Sequence, residues 1–287
     1  MFDYAHGSDS NGAFVSLNSY TAGETGFLDV PRPRKEFRQQ KLGIYLLSDL
    51  FSASFMGKSH FVKDRQLVDL ARDKRVSFTG ETFDQWDLDV LLYCAMRTVT
   101  NRDSQGKIQV NPADVLRETG LRNFDENRDR VYASLFRLHT GSLLIEGKGY
   151  RYMTRLIDRV LLDQSKECCL VEVNGDVVNS LRNECNLRLA VESRFSMKRS
   201  GLAKWLHGAV LVFKGGFKAD IGSLHSLCGA SNRTRHLFPH MLGKALASLE
   251  EAGVITSWHI EGRKLMVLPG SRQMIETACG FIPSGTV

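Results

Sequence analysis

Three observations predict an α+β chain built from two tandem winged-helix domains behind a flexible amino-terminal arm. First, residues 237–252 place Phe238, Met241, Leu242, Ala245, Leu246, Leu249 and Ala252 on one stripe at about 100° per residue, the core face of an amphipathic helix. Second, that helix follows a helical run beginning SGLAKWLHG and a polar turn, ASNRTR. After Gly253 it is followed by two alternating segments, 254–260 and 264–268, joined by Glu261-Gly262-Arg263 as a hairpin. Third, the same grammar of helix, short helix, longer helix and hairpin occurs once before, with little sequence identity between the copies. The expected units are 1–58 (arm and lead-in), 59–163 (first winged helix) and 164–287 (second winged helix).

Residues 1–40 are rich in Ser, Gly and Asn, lack periodicity and end in PRPRKEFRQQ, so they read as a mobile arm. The apolar run 42–55 follows. Within it LLSDLF, residues 46–51, resembles the short hydrophobic peptides that dock on the replicative sliding clamp, but it lacks their leading Gln and suits a core segment better.

In the first unit Arg75-Val-Ser-Phe-Thr79 alternates as a strand. Thr82 and Gln85 have the spacing of a capping box at the head of a helix whose inner face holds Trp86, Val90, Leu91 and Ala95. Residues 107–110 make a short strand. Asn111-Pro112 then supplies a cap and a first-turn proline for a helix that stops at Gly120. Asp125 is placed to cap a longer helix, 126–140, with Val131, Leu135 and Leu138 inside and Arg130, Ala133 and Arg137 outside. Residues 142–145 and 150–154, hinged at Gly147-Lys148-Gly149, form its hairpin. Residues 158–165 read as the connection, and the strand 168–173 and helix 176–183 as the opening of the second unit. The tail after Pro269 has some helical character and no assignable role.

The outward face of helix 237–252 carries His240, Gly243, Lys244 and Ala247, extended backward by His236 and Arg233. Small residues let a backbone approach the major groove, and cationic or hydrogen-bonding side chains reach phosphates and base edges. Charge agrees with this. Of the net +6, residues 199–287 hold ten Lys/Arg against five Asp/Glu, or +5, and the remaining 28 against 27 give +1. Lys244, His240 and Arg233 are therefore expected at base edges, Ser231, Asn232 and Arg235 at phosphates, and Arg263 and Lys264 on the backbone beside the wing. Arg130 and Arg137 are the equivalents in the first unit. Pro239 allows two arrangements: a helix that begins near Leu237, or one that is kinked.

Other chemistries lack their signatures. There is no G-x-x-x-x-G-K-[ST] loop, no C-x-x-C pair, and no third ligand near His236 and His240, so no metal or cofactor and no enzymatic activity are expected. Asp84, Asp87 and Asp89 read as a solvated helix start. The six cysteines read as reduced core residues. Without an apolar run of membrane length or a signal pattern, a cytoplasmic, bacterial setting without membrane contact is expected.

The run from SGLAKWLHG through LCGASNRTRHLFPHMLGKALASLEEAGVI resembles the carboxy-terminal domain of the TrfA family of plasmid replication initiators. Trp205, Leu206, His207 and Gly208, then Leu227, Cys228 and Gly229, then Lys244, Ala245 and Leu246 stand at the family's places. A fainter likeness covers residues 59–98, and Pro239 stands where the family has Arg. The resemblance implies double-stranded DNA at origin repeats (iterons) as the partner, together with origin opening and recruitment of the host helicase and initiator machinery. Self-association stays open. The alternative reading is a winged-helix transcriptional repressor acting as a symmetric dimer on a palindrome.

Overall fold

A computed structural model describes residues 45–67, 75–100, 107–147, 149–163, 165, 167–184, 187–197, 199–213, 216–230 and 235–270. The expected arm, the tail after 270, and Ser231, Asn232 and Arg233 lie outside these.

In chain order the first unit runs β1 (Phe51–Ser52), β2 (Phe61–Gln66), β3 (Arg75–Glu81), β4 (Phe83–Asp84), α1 (Gln85–Thr100), β5 (Lys107–Val110), α2 (Pro112–Glu118), α3 (Asp125–Thr140), β6 (Ser142–Gly147) and β7 (Tyr150–Arg155). After it come β8 (Ile157–Asp163), β9 (Cys168–Val173), α4 (Gly175–Glu184) and α5 (Leu187–Ser196). The second unit is α6 (Gly201–Val212), β10 (Phe217–Asp220), α7 (Ile221–Leu227), α8 (Phe238–Glu251), β11 (Ile255–Glu261) and β12 (Lys264–Pro269). Helix, strand, two helices and two strands is the winged-helix order, and it occurs twice.

The two copies close differently. In the second, β10 joins the hairpin in a sheet of order β10-β12-β11. In the first, β6-β7 extends a sheet of order β2-β3-β6-β7, while β5 pairs with β9 in a separate sheet, β5-β9-β8. Residues 158–165 are thus mostly a strand and not a connection, because Val160 and Leu161 sit opposite Val171 and Leu170 and complete a ladder. The expected boundary after Asp163 consequently falls inside a hairpin. Strand β9 and Val177 of α4 belong to the first core, which extends to Val191; the second gathers Met197, Trp205, Leu206, Leu242, Leu246 and Leu249.

Helix α1 is the axis of the first unit. Its residues from Gln85 through Ala95 are all buried, as befits a helix surrounded by others. Its cap is not Thr82. Asp84 accepts from the Trp86 and Asp87 amides, and Asp87 returns a bond to the Asp84 amide, so the reciprocal box sits two residues later. Asn111, Pro112 and Gly120 bound α2 as expected. Asp125 is the first residue of α3 and not its cap, which is Phe124 without a side-chain bond.

The acidic trio is not solvated: Asp84, Asp87 and Asp89 are all buried. Asp87 accepts from Ser134 Oγ at 2.6 Å and Arg137 Nη2 at 2.7 Å. Asp89 accepts from Arg194 Nε of α5 at 2.7 Å and Lys204 Nζ of α6 at 2.6 Å, with all three side chains at most 1% exposed. A buried charge needs such partners. Here they tie the first unit's central helix to the second unit's leading one.

LLSDLF is also inside, with Leu46, Leu47, Leu50 and Phe51 buried, so it is unavailable to a clamp. Residues 45–54 form a strap between the units. Gln85 holds it from one side through Phe51 O, while Trp205 Nε1 donates to Ser48 O and the Ala53 amide to Cys228 O from the other. Gly201 and Gly208 of α6 permit this contact, since a Cβ on Gly208 would lie 2.9 Å from Leu46 O, and one on Gly201 would collide with Ala53 O.

Candidate nucleic-acid interface

Helix α7 begins where Asp220 accepts the Ser223 amide at 3.0 Å, and ends at Cys228 before Gly229, whose φ is +64°. Helix α8 then starts at Phe238 with Leu237 as its cap residue and Pro239 within the first turn, so the unkinked arrangement is the one adopted. Proline is tolerated there because its missing N–H has no partner to lose. Phe238, Leu242, Ala245, Leu246 and Leu249 are buried, and the Phe238 ring meets His225 of α7 edge-on at 4.9 Å. Met241 departs from the expected stripe: it is exposed.

On the other side Arg235, His236, His240, Lys244 and Ala247 are exposed and Gly243 half-buried. No carboxylate occurs from Arg235 through Leu249. The amino-terminal end of a helix is also the positive end of its dipole, so the first turn of α8, next to these side chains, is suited to a polyanion. Of the residues expected here, Arg235, His236, His240 and Lys244 are brought together.

The wing follows. Gly262, with φ of +58°, and Arg263 form a two-residue turn between β11 and β12. Its tip is docked on α7: Arg263 O accepts the Ile221 amide at 2.9 Å, and Arg263 Nε lies 3.6 Å from Asp220 Oδ2. The Ser223 amide and then Arg263 hold the Asp220 carboxyl below the usual range. Lys264 is exposed but stands in register between Asp220 and Glu261, so the tip is less purely cationic than its sequence implied. Exposed Lys218 on β10 adds a charge beside it that sequence reading missed because β10 itself was missed. The alternation in Phe-Lys-Ala-Asp is four residues long, too short to stand out.

The first unit is different. Arg137 is only 17% exposed and its guanidinium is engaged by buried Asp87, so the expectation that it faces outward is corrected. An arginine leaving that pair would strand a carboxylate in the core. Arg130 Nη2 donates to Glu126 Oε1 at 2.6 Å and Nη1 lies 3.3 Å from the Met56 sulfur. The exposed positions of α3 are Asp125, Glu126, Asp129, Ala133, Phe136 and Thr140, an acidic and apolar face without a cation. A cleft of about 110 Å³ beside it is lined by Lys58, Arg130, Arg137, Asp84 and Asp87 among others. Burial first, and then Asp87, pushes the Asp84 carboxyl up to about 6.

Among the described residues no group of three His, Cys, Asp or Glu side chains is placed to hold a metal, and no helix is long and apolar enough to cross a membrane. Cys94, Cys168, Cys169 and Cys228 are free and buried, and burial raises the Cys169 and Cys228 thiols to about 11.

No protein-family model and no curated protein matches the chain. Among solved structures, domains 2 and 3 of RctB, as selenomethionine derivatives, superpose with a TM-score of 0.56 at 12% identity, covering 81% of this chain and 98% of that one. A second structure of RctB domains 2–3 gives 0.52 at 11%, covering 78% and 96%. The Pi initiator protein in complex with iteron DNA gives 0.43 at 11%, covering 65% and 94%. The likeness to RctB is one of fold, and it takes in both winged-helix units.

Proposed function

We propose that this chain is a sequence-specific duplex-DNA-binding protein that initiates replication by occupying direct repeats at an origin. One observation carries the reading: α8 and the residues leading into it expose Arg235, His236, His240 and Lys244 with no carboxylate before Glu250, beside a wing docked on the same helix pair. Helices so placed enter the major groove with their leading residues at base edges. In this reading Lys244 and His240 meet bases, Arg235 and Lys218 meet phosphates, and Arg263 grips the flanking backbone once it exchanges Asp220 for a phosphate. Arg233, Ser231 and Asn232 keep their expected roles from sequence, while Arg137 is withdrawn. Origin opening and recruitment of host replication proteins belong to the reading through the resemblance to the TrfA family, and no catalytic step is required of the chain itself.

A salt titration of binding to duplex DNA tests it. Neutralising about six phosphates gives a slope of log affinity against log salt near −5. A flat dependence, or equal affinity for every sequence, would refute it.

A further inference from the structure

Leu237 and Met241 are 49% and 43% exposed although both are large and apolar. They stand one turn apart at the leading end of α8. At about 100° per residue Met241 lies about 40° from Leu237, and Lys244 about 20° to the other side, so the three make one stripe. The buried arc from Phe238 to Leu249 is centred well away from that stripe. Single exposed apolar residues are ordinary, but here two adjoin on a stretch that carries Arg235, His240 and Lys244 and has no Asp or Glu from Arg235 through Leu249.

An occupant of this surface must offer negative charge and apolar groups within a few ångströms of each other. The major groove of duplex DNA does so: phosphates line its walls, and the C5 methyl of thymine is the apolar group on its floor. We propose that Leu237 and Met241 are specificity-determining residues that read the methyl groups of neighbouring thymines, with Lys244 in the same stripe fixing the register. The inference rests on the DNA-binding reading above. Sequence periodicity alone hid it, because Met241 lies at the margin of the core arc and counts as core on a helical wheel.

The test uses the full chain and the tightest duplex selected from a randomised pool, with deoxyuridine replacing each thymidine in turn. Loss of a contacted methyl should weaken binding about fourfold at one or two positions and leave the others unchanged. Met241→Ala and Leu237→Ala should each weaken binding to the thymine duplex, abolish sensitivity at one position and keep the salt slope. Because both side chains are exposed, thermal melting should not move; if Leu237→Ala does melt earlier, as a cap residue can, Met241→Ala decides alone. Uracil duplexes bound as tightly as thymine ones, or variants that retain methyl sensitivity, overturn the inference while salt-steep binding leaves the DNA reading intact. Variants that instead change the sedimentation of the free protein mark the pair as a contact between copies and also overturn it. A chain that binds no duplex overturns both readings.

Discussion

Replacing Asp89 by Asn removes the single negative charge from a site that holds two buried cations. Arg194 would keep Lys204 O at 2.6 Å and Gln85 Oε1 at 2.7 Å, but the amide offers one acceptor oxygen where the carboxylate offers two, so with that oxygen on Arg194, Lys204 Nζ keeps only Arg194 O at 3.3 Å and the Phe55 and Phe195 rings at 5.3 and 5.8 Å. Burial already lowers the Lys204 pKa, with Asp89 the main opposing influence. Breaking such a pair from one side costs roughly 3–5 kcal/mol, far more than the pair contributes relative to apolar residues. A shift of roughly 2–4 °C per kcal/mol in a protein of this size puts the loss of melting temperature at about 6–20 °C. Lys204→Met is the informative companion, since it leaves one cation facing one anion and should lie within about 1 kcal/mol of the parent. Urea denaturation of the three proteins at neutral pH measures this. An Asp89→Asn protein within about 1 kcal/mol of the parent, or a Lys204→Met protein destabilised as strongly as it, would refute the account of the network.

Further outcomes concern pH and the two helices. Asp84 has a folded pKa near 6, above its ordinary 3.8, so its favourable contribution is full below about 4 and is lost as pH rises through 6. The amount is on the order of 3 kcal/mol, and the difference in stability between the parent and Asp84→Asn, followed from pH 4 to 7.5, should show that trend or disprove the burial argument. Arg137→Ala should destabilise by about 3 kcal/mol or more by leaving Asp87 without its cation, yet leave the DNA affinity of the folded protein unchanged in a binding titration at low temperature. Lys244→Ala should cost roughly 1–3 kcal/mol on the selected sequence and relax preference at one base pair, whereas Arg263→Ala should weaken all sequences alike; equal losses from both on scrambled DNA would remove their separate roles.

Local signals made much of this legible in the sequence. Phe238, Leu242, Leu246 and Leu249 are three or four apart, and Gly262 requires a turn whatever surrounds it, so α8 and its wing were readable. Asn111-Pro112 and Gly120 are equally local. What escaped depended on partners far along the chain. Asp87 and Asp89 look solvated until Arg137, Arg194 and Lys204 arrive from 50, 105 and 115 residues away. Ile157–Asp163 looks like a connection because Asp residues flank its apolar centre, and only the ladder with β9 makes it a strand. Met241 and Arg137 were each assigned to the wrong environment, since a helical wheel gives an angle but cannot give the depth of the neighbouring elements.

The strap has a consequence for the time course of synthesis. Ser48 and Trp205 are 157 residues apart, so at about 5–20 residues per second the strap leaves the ribosome roughly 8–30 s before the tryptophan that anchors it. During that interval Tyr45, Leu46, Leu50 and Phe51 have the first core to pack into, whereas Leu47, which belongs to the second, has no seat. Residues 45–54 are therefore among the last parts of the described chain to be fixed, and until α6 emerges the nascent chain carries an apolar segment that chaperones can bind.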